Sequence, residues 1–176
     1  MPIRAARASD AAAICAIYNL GIAERQATFE TRPREPRDVL EWLEQDLPFL
    51  VATDGEVVTG FARLSEYSDR CVYSGVGEHG VYVDPRARGR GLGRRLLEAL
   101  AAESGRRGYY KLTSRIFTEN AASRAVHLAA GFEEVGVQRF HGRLDGEWRD
   151  CVLVERLLGE AAAAASARGS RAGRAG

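Results

Sequence analysis

Glycines and arginines crowd one short stretch of the chain, Arg88-Gly89-Arg90-Gly91-Leu92-Gly93-Arg94. Glycines let backbone N–H groups close on an anion, and a helix that starts there adds the positive end of its dipole. Five arginines fall between Arg86 and Arg95 with no acid among them, a charge pattern that complements phosphate. The stretch reads as a phosphate-binding turn. A Walker loop needs Lys-Ser or Lys-Thr after its last glycine, whereas Gly93 is followed by Arg94-Arg95. The dinucleotide pattern G-x-G-x-x-G needs a glycine at position 94 and an acid at the end of a following strand. Neither is present.

The flanking elements fit such a turn. A strand from about Tyr73 to Val83 precedes it. After it, Leu92, Leu96, Leu97 and Leu100 recur at helical spacing up to Arg107, and Leu112 to Phe117 is rich in strand formers. Strand, helix and strand in that order predict a parallel crossover. Upstream, Ile3–Ala6 reads as an edge strand, Ser9-Asp10 as the cap of a helix bearing Ile14, Ile17 and Tyr18, and Pro36 as the start of a second helix. Asp54-Gly55 predicts a hairpin joining residues 49–53 to 57–64. Asn120 to Ala130 is a helix closed by Gly131, and Asp145-Gly146 turns a final hairpin. The expected fold is α/β, a mixed and mostly antiparallel twisted sheet with helices on its faces.

With 176 residues, 45% hydrophobic and 28% charged, the chain suits one globular domain with a single core. That domain is expected over residues 1–158. Residues 159–176 are nearly all Ala, Gly, Ser and Arg; they predict frayed helix over 161–165 and disorder in the rest. No run approaches the length of a bilayer span and no signal-peptide layout opens the chain, so the expected location is the cytoplasm. Cys15, Cys71 and Cys151 are isolated and odd in number, which predicts reduced thiols and no metal. From Gly159 onward three arginines face one glutamate, which leaves residues 1–158 with a net charge of −1. A nucleic-acid partner is not expected from such a balance, nor a membrane partner from the hydropathy.

The pattern Arg/Gln-x-x-Gly-x-Gly/Ala, carried here by Arg88, Gly91 and Gly93, resembles the pyrophosphate turn of the GNAT acetyltransferase superfamily. Asn120-Ala121-Ala122-Ser123-Arg124-Ala125-Val126-His127, continuing to Gly131-Phe132, is similar to a second family segment, with His127 where tyrosine is usual. Within the superfamily the chain looks like the phosphinothricin acetyltransferase group. The carrying residues are Phe29-Glu30-Thr31, Arg70 with Tyr73, Glu78, Ile116-Phe117-Thr118-Glu119-Asn120, His127 and Gly146-Glu147-Trp148-Arg149-Asp150. His79-Gly80 stands where the group's best-known members have small hydroxylated residues.

The resemblance implies acetyl-CoA as co-substrate, a free α-amino group of a small amino acid analogue as acceptor, and a homodimer. It implies that Val81, Tyr82, Val83, Arg88, Gly89, Arg90, Gly91, Leu92, Gly93, Arg94, Asn120 and Ser123 hold coenzyme A. Phe29, Arg70, Tyr73 and Phe117 would hold the acceptor, with Arg70 as a bidentate clamp on its carboxylate. An alkylammonium titrates near ~10.4 and attacks a thioester only as the free base, so a proton acceptor is needed. Glu78, on a strand expected to splay and desolvate it, is assigned that role, and His127 the protonation of the leaving thiolate. His79 falls on the strand face opposite Glu78 and His141 approaches the last turn; both are read as structural or peripheral. Two other readings stay open: a relative that acetylates a polyamine, aminoglycoside or protein N-terminus, and a non-catalytic acyl-CoA sensor.

Overall fold

The computed structural model describes residues 1–172, with side chains to residue 168. One sheet is built from β1 (Ile3–Ala5), β2 (Phe49–Asp54), β3 (Val57–Glu66), β4 (Val76–Val83), β5 (Lys111–Phe117), β6 (Glu133–Leu144) and β7 (Glu147–Leu157). Their order across it is β1-β2-β3-β4-β5-β7-β6. Five α-helices accompany it: α1 (Ala11–Glu24), α2 (Pro36–Glu44), α3 (Leu92–Arg106), α4 (Ala121–Ala129) and α5 (Gly159–Ala172).

Turn chemistry sets the hairpins. Asp145 and Gly146 both take positive φ, 49° and 86°, which gives β6 and β7 the primed turn that matches strand twist. Between β2 and β3 the two-residue loop is Gly55-Glu56, one position later than the Asp54-Gly55 expected, because Asp54 still pairs with Val57. The β4-α3-β5 crossover is present, and β4 and β5 are the parallel pair.

That parallel pairing is short. It joins Val76 to Lys111, Gly77 to Leu112 and Glu78 to Thr113, and goes no further. Past Glu78, β4 stays paired with β3 as far as Val83, while β5 stays paired with β7 as far as Phe117. The two strands therefore part at Glu78. The β5-facing backbone of residues 79–83 is left without a strand partner.

Side-chain alternation sorts the layers. Val51 and Phe61 face α1 and α2, in a core with Ile14, Ile17, Tyr18 and Val39. Ala52 and Ala62 face the other side, where small side chains admit Leu92, Leu96 and Leu100 of α3. Leu97 and Ala101 continue that side onto Leu112, Val152 and Val154.

Two expectations change. Tyr73 lies not at the head of β4 but in a single 3-10 turn, Cys71–Tyr73, and β4 begins at Val76; Tyr110 lies against Gly75 between the two. Residues beyond Leu158 continue as α5 to Ala172, where disorder was expected past the alanine run. Alanine has the best helix propensity and exposes no large apolar group when unpacked, so helix and tail composition are compatible. Residues 173–176 lie outside the described residues.

Leu97 is 0% exposed, so Leu97→Ala is expected to cost about 2–5 kcal/mol. Leu128 on α4 is 52% exposed, and Leu128→Ala should stay within about 0.5 kcal/mol. Urea unfolding measures both; equal losses would contradict the layer assignment.

Candidate active site

The glycine turn is built as the sequence requires. Gly89 and Gly91 take φ of 76° and 71°, and a Cβ on either would meet nothing within 4 Å. Gly91 is the N-cap of α3, so the first N–H groups of that helix are free of intrahelical partners. The turn ends a groove of about 400 Å³ lined by Val81, Tyr82, Val83, Arg88, Gly89, Gly91, Leu92, Gly93, Asn120 and Ser123. These are ten of the twelve residues expected to hold coenzyme A; Ile17, Gly21, Glu24, Gln26, Ala27, Ala87, Ala122 and Val126 line the groove with them. Along its length the groove runs beside the partnerless backbone of β4, the shape needed for an extended ligand that adds hydrogen bonds like a strand.

Arg90 and Arg94, also expected there, do not line the groove. Arg94 pairs with Glu98 at 2.7 Å one helical turn on, and Arg90 is exposed. The neighbouring arginines are likewise engaged: Arg88 holds Glu24 through two hydrogen bonds of 2.9 and 2.8 Å, and Arg86 holds Asp84 at 2.7 Å. The turn's attraction for anions rests on backbone N–H groups more than on free guanidiniums.

A second cavity of about 510 Å³ opens from the first, sharing Gln26, Ala27, Val81, Tyr82, Asn120 and Ser123 with it. Glu78, Arg63, Arg115, Phe29, Phe117, His127 and His141 also line it. Asn120 ties its walls together. Its Oδ1 accepts from the Ser123 N–H at 3.0 Å to cap α4, and its Nδ2 donates to the Gln26 carbonyl at 2.8 Å. Phe29 meets Phe117 edge-on with centroids 4.8 Å apart. It can do so only because residue 142 is glycine, where a Cβ would come within 2.7 Å of the Phe29 ring.

Glu78 is not the desolvated carboxylate the sequence suggested. Arg115, on the neighbouring strand, donates to it at 2.6 Å, and the Glu78 side chain keeps 36% of its exposure. The parting of β4 and β5 opens solvent access there, and the facing arginine supplies the partner that burial alone would have withheld.

His127 is 2% exposed and sits against His79, which is 4% exposed, with their Nε2 atoms 3.0 Å apart. The tautomers follow from the neighbours. The Ser123 carbonyl, 2.8 Å from His127 Nδ1, can only accept, so that nitrogen carries the proton and His127 Nε2 presents a lone pair. His79 Nε2 then donates to it, and His79 Nδ1 lies buried outside ordinary hydrogen-bond geometry, with the Thr113 backbone nearby. Burial holds both imidazoles below the ordinary histidine range, His79 further because a charge on His127 would oppose its own. His79 is thus the direct partner of His127, not a bystander. Alternation places it correctly on the face opposite Glu78, but that face is where α4 lies. His141, read as peripheral, lines the cavity with its ring 6.4 Å from Phe29.

Arg70 and Tyr73 are not brought to either cavity. The 3-10 turn between β3 and β4 carries them on the surface, with the Arg70 guanidinium 5.7 Å over the Tyr73 ring and Tyr73 edge-on to Tyr67. Arg63 and Arg115 are the arginines of the cavity, and sequence reasoning passed over both. The signal was available for Arg63: an arginine within an apolar strand, at the same parity as Phe61 and opposite Gly80 across β4.

Residues 16–132 match the profile of the acetyltransferase (GNAT) family. The chain is 34% identical to an L-methionine sulfoximine/L-methionine sulfone acetyltransferase of Salmonella typhimurium, over 93% of this chain and 98% of that protein. It is 37% identical to a phosphinothricin N-acetyltransferase of Streptomyces coelicolor, over 81% and 87%. Among solved structures, a phosphinothricin acetyltransferase from Sinorhizobium meliloti in complex with acetyl-CoA superposes with a TM-score of 0.85 at 30% identity, covering 92% of this chain and 90% of that one. The family match and these relatives together show an acyltransferase, and the chain belongs to the GNAT acetyltransferase family.

The buried imidazole pair predicts an acid sensitivity. Above pH 6.5 both folded and unfolded chains carry neutral histidines. Below it the unfolded chain takes up protons that the folded chain resists, so stability falls as the pH falls. Between pH 6.5 and 5, wild type should lose up to about 1.4 kcal/mol more per pH unit than His79→Gln. Denaturant unfolding across that range checks this, and parallel curves would refute it.

Proposed function

We propose that the chain transfers the acetyl group of acetyl-CoA to the α-amino group of a small amino acid analogue of the phosphinothricin or methionine sulfoximine kind. The parting of β4 and β5 at Glu78 carries this reading: it joins a groove suited to an extended phosphorylated thioester to a cavity holding a carboxylate. The relatives named for those two acceptors support the acceptor class. The presence of Arg63 and Arg115 in the cavity disfavours a polyamine, whose cationic chain would meet guanidinium groups.

In this mechanism the groove residues fix the thioester and the second cavity fixes the amine, so much of the rate comes from holding the two in contact. Glu78 receives the ammonium proton directly or through a water, and Arg115 holds the carboxylate in place. The free amine attacks the thioester carbon and the carbon–sulfur bond breaks toward Ser123, which lines both cavities. The proton that the nitrogen then sheds passes through water to the sulfur, so that the amide and a coenzyme A thiol form, while Glu78 returns its own proton to solvent. A coenzyme A thiol titrates near ~8.5, so the thiolate departs without an obligatory acid. His127, neutral, with its Nδ1 proton committed to Ser123 and its Nε2 lone pair to His79, has no proton to give the sulfur, so the acid role expected of it is not part of this mechanism. No side chain forms a covalent bond to the acetyl group.

Among the described residues no helix is long and apolar enough to cross a membrane. A location in the cytoplasm follows in this reading from the acetyl-CoA supply there. A homodimer is part of the same proposal. The outer strand β6 and its partner β7 expose Val135, Val137, Phe140 and Trp148, with Phe140 68% exposed and its ring 5.8 Å from Trp148. An apolar strip along a sheet edge is the kind of surface a second copy covers.

Two measurements test these statements. Glu78→Gln is expected to lower kcat at least about 100-fold while calorimetric acetyl-CoA affinity stays at the wild-type value; near-wild-type turnover would remove Glu78 from the chemistry. Phe140→Asp is expected to convert a sedimenting dimer to monomer, and a dimer that survives it lies elsewhere on the molecule.

A further inference from the structure

The groove suited to a pyrophosphate carries a carboxylate in its wall. Glu24, the last residue of α1, lines it together with Arg88 of the glycine turn, and an anion there opposes the charge that the turn is built to take. Arg88 holds the first position of the turn's pattern, and its guanidinium is already engaged. Nη1 and Nη2 donate to the two Glu24 oxygens at 2.9 and 2.8 Å, and Nε donates to the Val83 carbonyl at 3.1 Å. The fork that matches a phosphate is the one Glu24 occupies.

The other ion pairs about the turn differ in kind. Arg86 and Asp84 lie two residues apart, Arg94 and Glu98 four, and none of these four side chains lines the groove. The Arg88–Glu24 pair spans 64 residues of chain and joins two of the groove's walls. Glu24 has no other cation among the described residues, since Arg25 beside it is held by Asp145 at 2.9 Å. The two side chains keep 47% and 36% of their exposure, and pairs this exposed to water are weak.

The backbone on either side of Glu24 is fixed independently of the pair. Before it runs α1; after it Arg25 closes the helix with φ 57°, and Asn120 holds the Gln26 carbonyl at 2.8 Å. The carboxylate can therefore leave Arg88 by side-chain rotation, with the groove wall in place.

We propose that Glu24 competes with the pyrophosphate of coenzyme A for Arg88, and so sets how tightly the donor binds and how fast the spent coenzyme leaves. This rests on the acetyl-CoA reading above and adds to it a residue outside the glycine turn. Donor and product carry the same pyrophosphate, so contacts at that end hold both alike. A carboxylate that returns to Arg88 weakens both and shortens the stay of the product. Glu24 is a positioning residue: it acts through Arg88, takes no proton and touches neither reacting group.

The test measures coenzyme A binding by calorimetry for wild type, Glu24→Gln, Arg88→Gln and the double variant. Turnover of S-acetylpantetheine, which lacks the pyrophosphate, is the control. Glu24→Gln keeps the shape of the side chain and removes its charge; it is expected to tighten coenzyme A about 3- to 10-fold, mostly through slower dissociation. Its kcat/KM for S-acetylpantetheine is expected to stay within about 2-fold of wild type. In the Arg88→Gln background the same change is expected to alter coenzyme A affinity by less than about 2-fold, because the contested cation is gone. Unchanged or weaker binding by Glu24→Gln makes the pair a brace between α1 and the turn and overturns the proposal. So does a gain that persists in full without Arg88, or an equal gain with S-acetylpantetheine. Wild type that neither binds coenzyme A nor turns over acetyl-CoA overturns the acetyltransferase reading, and this inference with it.

Discussion

The separation of β4 from β5 after Glu78 is the constraint on which the rest of the site depends. Three residue pairs hold the parallel strands together and then each strand keeps only its outer partner. A sheet that parts in its middle leaves backbone N–H and C=O groups facing a gap, and such groups require partners from solvent or ligand. The gap is therefore both a cost to the fold and the place where an extended amide-bearing ligand gains most. Its two ends are finished by different means: α3 closes one with the Gly91 cap, and α4 closes the other with the Asn120 cap.

Charge around the gap is arranged by pairing. Arg86, Arg88 and Arg94 near the glycine turn each have a carboxylate, and so do Arg115, which lines the second cavity, and Arg34, whose partner Glu30 lines it. Exposed pairs of this kind contribute little to stability, with a median of about 0–1 kcal/mol. Their consequence here is positional. Arg88 joins α1 to the turn through Glu24, and Arg115 fixes the Glu78 carboxylate across the parting strands.

Local sequence carried the fold and half of the site. The Gly89-to-Gly93 turn, the parallel crossover and the final hairpin were legible because each depends on backbone angles that few residues adopt. Phe29, Phe117, Glu78, Asn120 and His127 line the two cavities. Arg70 and Tyr73 line neither cavity, which could not be foreseen because the segment from Glu66 to Gly75 has no periodicity from which a direction can be read; only the chain's turn away from the sheet decides it. Arg63 was missed, and the partner of the structural His79 went unforeseen, for a different reason. Alternation along a strand tells which face a residue takes, but the neighbours it meets there, Trp42 from α2 and His127 from α4, come from remote parts of the chain.

Under the proposed function, the imidazole pair accounts for a carboxylate rather than a histidine as the proton acceptor in this cavity. A lone buried histidine would offer a free lone pair to an incoming ammonium. Here His127 gives its Nδ1 proton to the Ser123 carbonyl and its Nε2 lone pair to His79, so both ring nitrogens are engaged within the protein. Burial keeps the pair neutral. A neutral, hydrogen-bonded wall does not repel the positive amine and does not compete for its proton. In the proposed mechanism Glu78, partly exposed on the opposite strand face, serves as the base, and the division of work between the two faces of β4 follows from the alternation of Glu78 and His79 along a single strand.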